Sequence, residues 1–292
     1  MSSAQATTNE RHRFGRDTRR KIANFIFVSL TSLATLIALA ALTLIMITLV
    51  KNGLGGLSSR IFTMDQPPPD VIGGLRNAIV GSLLMCVLAM AISVVVGILA
   101  GTWLAEYDEG GKLASVVRFL NDVLLSAPSI LVGLFVYELM VRPFQGFSGL
   151  AGAVALAFLA TPVVTRTTED IMRLQSHSLR EAGMALGAGR GLVIRAIIWR
   201  ASRSGLVTGA LLGFARVSGE TAPLLFTSLG NPFLSYNMTQ PMAALPTTIF
   251  QYALSAYDDW RELAWVGALL IAVTVLTINI LGRALTRGST IK

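Results

Sequence analysis

The chain has 292 residues, 53% of them hydrophobic by type and 14% charged, with a formal net charge of +8. An ordinary soluble domain carries about 25% charged residues, so a soluble globular protein is excluded. In a chain this apolar the basic excess first reports which side of a membrane the Lys and Arg residues occupy, and it does not indicate a nucleic-acid binder.

Residues 1–21 form a basic tail with Arg11, Arg13, Arg16, Arg19, Arg20 and Lys21. A run of 29 residues without Asp, Glu, Lys or Arg follows, from Ile22 to Val50. About 20 apolar residues cross a bilayer, and a signal-peptide core is only roughly 7 to 15 long, so this run is expected to be a retained first span. Residues 51–76 include Pro67, Pro68 and Pro69, which stop a helix and make an extended connector on the outer side. A second charge-free run of 29, Asn77–Ala105, is the second span and holds Cys86, the single cysteine, so neither an intrachain disulfide nor a cysteine metal cluster can form. A third span is expected over Phe119–Val141 despite Asp122 and Glu138, and a fourth over Pro143–Thr165, joined by a tight turn at Arg142 and Pro143. The fifth, Ser204–Thr227, contains Arg216 and Glu220, and the sixth, Leu263–Gly282, is charge-free for 20 residues. Between them, residues 228–259 carry Pro232, Pro241 and Pro246 among aromatic residues and suit short helices at the interface or dipping into a cavity. Residues 77–283 thus form a core of five spans, and 284–292 a second tail. With both termini on one side, that side collects eighteen Lys and Arg residues against five, which places both ends in the cytoplasm.

The cytoplasmic segment 166–203 is far longer than the 2 to 8 residues, roughly, that join neighbouring helices, so it should be folded. Ser178-Leu179-Arg180-Glu181 has the spacing of a capping box, which predicts a helix start. Leu179, Ala182, Gly183 and Leu186 share one small apolar face, and Gly187 is placed to end the helix in the left-handed conformation. A helix of two turns is not stable alone, so that face must dock on this chain or on a partner.

Arg216 and Glu220 are four apart and are expected on one helix face near mid-membrane, where a charge usually faces a polar pathway or a partner. Two readings stand: a self-satisfied pair that pins helix packing, or a guanidinium fork that meets a tetrahedral oxyanion while Glu220 holds it and limits how tightly the anion binds. Pro128, Pro162 and Pro223 lie within spans and are either gating hinges or static kinks.

Glu181-Ala182-Gly183, three residues, Gly187, nine residues and Ile197-Ile198 resemble the EAA loop of ABC importer permeases, with Gly183 in place of the second alanine and Trp199-Arg200 in place of Leu-Pro. The stretch from Ala215 to Thr227, with its R-x-x-x-E-T-A-P pattern from Arg216 to Pro223, is similar to the A-type permease subunit of bacterial phosphate-specific ABC importers. So are Gln240-Pro241-Met242, Leu245 to Phe250, Ala127 to Ile130 and Arg166 to Glu169. The resemblance implies an all-α integral membrane protein of the bacterial inner membrane, with the type I importer permease fold and a cytoplasmic coupling helix that fits a groove on an ATPase. Ser178 to Gly183, Leu186 and Gly187 would then make the ATPase coupling site, and Arg216 and Glu220 the substrate pathway. It further implies a homologous sister permease, two ATPase subunits holding ATP and Mg, and an extracytoplasmic phosphate-binding protein.

Enzyme chemistry has no footing in the residues. Gly110-Gly111-Lys112-Leu113 lacks the leading glycine and the hydroxyl residue of a P-loop, so no cofactor or nucleotide site is expected in this chain. His12 and His177, the two histidines, cannot build a triad or a histidine metal site. The alternatives to phosphate import are a permease for another oxyanion, sulfate or molybdate, and a membrane signalling or scaffold subunit that uses the cytoplasmic helix only for docking.

Overall fold

The computed structural model describes residues 3–107 and 111–287, with side chains over 19–107 and 111–284. The side chains of Arg11, Arg13, Arg16 and His12, together with Gly110 and residues 288–292, lie outside that description. The chain divides into two units, Met1–Lys51 and Asn52–Lys292. Helix α1 (Ser3–Gly55), most of which lies in the first, runs unbroken from the basic tail into the expected first span, which contains no proline. Its apolar side chains from Phe25 to Ile47 are exposed all round, as a helix that meets lipid tolerates.

The second unit is helical, and no strand occurs among its described residues. A short α2 (Arg60–Thr63) lies in the proline-rich connector, followed by α3 (Arg76–Glu106). The expected third span is not one helix: α4 (Lys112–Ser126) and α5 (Ser129–Val136) meet at an angle of 107°. Pro128 is the reason, because its ring pushes Ala127 out of the helical region, to φ −65° and ψ 135°. A π-turn over Tyr137–Val141 and the three-residue α6 (Arg142–Phe144) continue α5 to Gln145, whose left-handed conformation (φ 50°) turns the chain back. Ser148 then caps α7 (Gly149–Arg173), its hydroxyl accepting from the Ala151 N–H at 3.1 Å. Beyond it come α8 (His177–Ala185), α9 (Arg190–Val193), a π-turn over Ile194–Ile198 and α10 (Trp199–Val217). The expected fifth span is also divided, since α10 stops at Val217 and α11 (Ala222–Thr227) begins after a break at residues 218–221, with Pro223 in its first turn. The chain closes with α12 (Leu245–Ala253) and α13 (Asp258–Arg287). Among the described residues four helices, α1, α3, α7 and α13, are long and apolar enough to cross a membrane, and the count is five if the bent pair of α4 and α5 is taken as one span. Helix α10, which carries Arg200, Arg203 and Arg216, is not among them, so the expected count of six is not reached by this measure.

Helix α7 forms the centre of this unit and packs along α3, α10 and α4. Its contact with α3 is close because α3 presents glycine there: a Cβ on Gly101 would lie 2.6 Å from the Thr165 carbonyl oxygen. Small residues at such contacts let membrane helices approach without an apolar solvent effect to drive them. The main core joins Met85, Val132, Leu156, Leu159, Val217, Leu224 and Met242, drawn from five helices and from the segment before α12. That segment, within residues 228–259, enters the bundle instead of lying on it. Its backbone is satisfied by protein, since Gln240 O accepts from Gly149 N at 3.0 Å, Met238 O from Leu150 N at 2.7 Å, and Met242 N donates to Ser228 O at 3.2 Å. The proline-rich connector is tied to it as well: Asp65 accepts from Arg76 Nε at 2.9 Å and from Leu234 N at 3.0 Å, and Asn77 Nδ2 donates to Asn231 O at 2.7 Å.

Candidate functional site

Two regions contain the residues expected to act. The first is the end of α10. Arg216 is the last residue but one of this helix, and Glu220 lies within the break that follows it, so the pair bridges the helix end and does not lie on one face of a continuous helix. Arg216 Nη1 donates to Glu220 Oε1. A cation in the last turn also faces carbonyls that lack intrahelical partners, a favourable place for it. The guanidinium side chain is 45% exposed, whereas the carboxylate is 11% exposed. One arm of the fork is thereby held by an enclosed carboxylate while the rest stays accessible to an anion. An apolar recess of about 210 Å³ beside Ser218, lined by Ile79, Leu83, Cys86, Phe214 and Ile271, includes neither charge.

The second region is the segment 166–203, which is folded throughout. Helix α7 continues to Arg173, so the first eight residues of the expected loop extend it. Helix α8 starts at His177, one residue before Ser178, and its N-cap, Ser176, makes no side-chain capping bond. The capping box therefore does not form: the Ser178 hydroxyl donates to Ser176 Oγ at 3.1 Å, and Glu181 is left exposed. The physical reason lies in Arg180, whose Nη1 bonds to the carbonyls of Gln175 at 2.7 Å and Ser176 at 3.3 Å and so fixes the helix start two residues earlier than the serine spacing suggests.

The expected apolar face is divided. Gly183 is buried, and a Cβ there would stand 2.9 Å from Ile197 Cδ1 and Val193 Cγ2, so this side of α8, with Leu179, rests on the chain's own core of Met172, Val193, Ile194 and Ile198. Ala182 is exposed, and Leu186 is 88% exposed. Gly187 takes φ +79°, with its N–H on Met184 O at 2.9 Å and the Ala188 N–H on Gly183 O at 3.4 Å, the bond pair of a Schellman helix end.

Sequence reasoning missed the charges packed beneath α8. Arg180 forms an ion pair with Glu106, the last residue of α3, and both are enclosed, at 16% and 4% exposure. Glu169 of α7 accepts from Arg118 Nε at 2.8 Å and pairs with Arg173 at 3.0 Å. The available signal was that Glu106 ends a charge-free run and that Glu169 stands four residues before Arg173; the pairings with Arg180 and Arg118 join residues far apart in the chain.

The family model of the binding-protein-dependent transport system inner membrane component matches residues 97–290. The phosphate transport system permease protein PstA of Haemophilus influenzae is 49% identical over 264 residues, which cover 90% of this chain and 94% of that protein. The probable phosphate transport system permease protein PstA of Methanocaldococcus jannaschii is 36% identical over 263 residues, 89% of this chain and 92% of that one. Among solved structures, the inward-facing MetNI methionine ABC transporter matches 73% of this chain and 94% of its own with a TM-score of 0.62, at 20% identity, a likeness of fold alone. The fold is that of a type I ABC importer permease. The chain belongs to the family of binding-protein-dependent transport system inner membrane components, in the group that holds these PstA permeases.

Proposed function

We propose that the chain is the membrane permease subunit of an ATP-binding cassette importer that takes up inorganic phosphate. The observation that carries this reading is the 49% identity with a phosphate transport system permease over 90% of the chain. Arg216 supports it: a planar fork of N–H donors suits a tetrahedral oxyanion, and Glu220 holds the fork while keeping the anion loosely enough bound to be released. A homologous sister permease supplies the other half of the pathway, and an extracytoplasmic binding protein delivers the phosphate. Two ATPase subunits bind ATP and Mg and carry out hydrolysis. Eighteen Lys and Arg residues against five set both termini in the cytoplasm of a cell whose inner membrane holds the complex. There α8 is the coupling helix, offering Glu181, Ala182 and Leu186 to the ATPase.

The test is ATP-dependent phosphate uptake by the assembled complex carrying Arg216→Gln. Uptake is expected to be abolished while all subunits still assemble. Loss of assembly would assign the pair to packing, and unchanged uptake would remove Arg216 from the pathway.

A further inference from the structure

At the end of the bundle where α3 and α7 finish, Glu106 is a carboxylate with its side chain only 4% exposed. Such a group is tolerated when its charge is paired and its lone pairs are taken. Arg180 does both. Its Nε lies 2.9 Å from Oε2 and 3.1 Å from Oε1, and its Nη2 lies 2.5 Å from Oε1. The same Nη2 reaches Met172 O at 2.8 Å, and Nη1 reaches the Gln175 and Ser176 carbonyls. All three nitrogens of the guanidinium therefore bond within the chain, to the end of α3, the end of α7 and the turn that leads into α8. None of them is turned toward a partner.

The anchor point is itself held. The last carbonyls of a helix lack intrahelical donors, and in α3 three arginines from other elements supply them. Leu104 O accepts from Arg118 of α4 at 3.2 Å and from Arg173 of α7 at 3.3 Å. Glu106 O accepts from Arg190 of α9, whose guanidinium also stands 4.9 Å over the Tyr107 ring. Trp199, at the start of α10, donates from its indole to Thr102 Oγ1 at 3.1 Å. By contrast, the apolar footing of α8 is narrow, Leu179 and Gly183 on Val193 and Ile197. A nine-residue helix cannot keep an orientation by itself.

We infer that the Glu106–Arg180 pair is a rigid link that makes α8 and α3 move as one body, so that Arg180 is a positioning residue for the coupling helix and not a contact for the ATPase. The inference rests on the reading of α8 as the coupling helix. A lysine could not replace Arg180, since an ammonium is a point charge without the planar fork.

The experiment uses the assembled complex with Cys86→Ala, and spin labels on cysteines introduced at Met184 of α8 and Leu99 of α3, both exposed. The distance between labels, read by pulsed electron resonance, is expected to be narrow and the same with and without ATP. In Glu106→Gln and in Arg180→Lys it is expected to broaden, while phosphate uptake per ATP falls roughly tenfold, in the range of single substitutions that alter coupling. A distance that shifts by several ångströms on adding ATP to the otherwise unsubstituted complex overturns the inference, as do narrow distances in both variants. Failure of both variants to assemble assigns the pair to folding and overturns it too. Absence of phosphate uptake in the unsubstituted complex counts against the importer reading alone, because the label distance does not depend on the cargo.

Discussion

Replacing Gly187 with valine should loosen the end of α8 without creating a clash. Gly187 sits at φ +79°, and a Cβ there would meet nothing within 4 Å, so the effect is confined to the backbone. An L-residue in the left-handed region costs roughly 1–2 kcal/mol, and a β-branched one is a genuine outlier there. Two bonds depend on that conformation, Gly187 N–H to Met184 O at 2.9 Å and Ala188 N–H to Gly183 O at 3.4 Å. Since about 1.4 kcal/mol is tenfold in an equilibrium constant, this helix end should open about ten times more often. Hydrogen exchange on the assembled complex reads the change at the amides of Gly187 and Ala188. Gly187→Asn should fall between wild type and valine, because asparagine visits the left-handed region more readily. Uptake per ATP should fall in the same order, as a frayed coupling helix transmits less of the ATPase motion. Exchange in Gly187→Val that matches wild type would refute the assignment of Gly187 as the helix stop.

Gly101→Val should abolish accumulation of the chain in membranes, because its Cβ would stand 2.6 Å from both the Thr165 carbonyl oxygen and Thr168 Cβ, and backbone cannot give way. Gly191→Ala, whose Cβ would meet only Tyr107 Oη at 4.0 Å, is the matched control, and immunoblotting of membranes should show it at wild-type level. The Asp65 carboxyl is held below the usual carboxylate range chiefly by its hydrogen bond from Arg76. A group whose ionised form is favoured in the folded state stabilises that state above its unfolded pKa, so the hold on the Leu234 N–H is complete at neutral pH and is lost as the pH falls through the lowered pKa of the folded state. Protection of the Leu234 N–H, taken relative to the intrinsic exchange rate at each pH, should fall on acidification, and in Asp65→Asn it should be low already at neutral pH. The purified chain alone should not hydrolyse ATP, and phosphate release by a clean preparation would contradict the missing P-loop.

The spans that could be read from composition are those where burial in lipid acts on every residue: α1, α3 and α13 follow the charge-free runs. The breaks were harder. Pro128 and Pro162 both fall within expected spans, yet Pro128 turns the chain by 107° and Pro162 stays inside a continuous α7. The difference is tertiary: α7 is enclosed by neighbours on most sides, whereas α4 is largely exposed. Gly187 was legible as a helix stop because a left-handed position has a local residue preference. Arg180 was placed with the exposed coupling residues, since nothing local distinguishes an arginine that will find Glu106, 74 positions away, from one that faces a partner. The serine and glutamate of the capping pattern were equally local, but the helix starts two residues earlier than they suggest, beside the carbonyls that Arg180 takes, and they do not bond as a capping box.

The central claim, phosphate import, is tested most directly by ATP-dependent uptake of labelled phosphate into proteoliposomes holding the assembled complex and supplied with its binding protein, with sulfate as competitor. Uptake that excess sulfate does not reduce is expected. Uptake of sulfate in place of phosphate, or no uptake of either while ATP is hydrolysed and the binding protein docks, would contradict it.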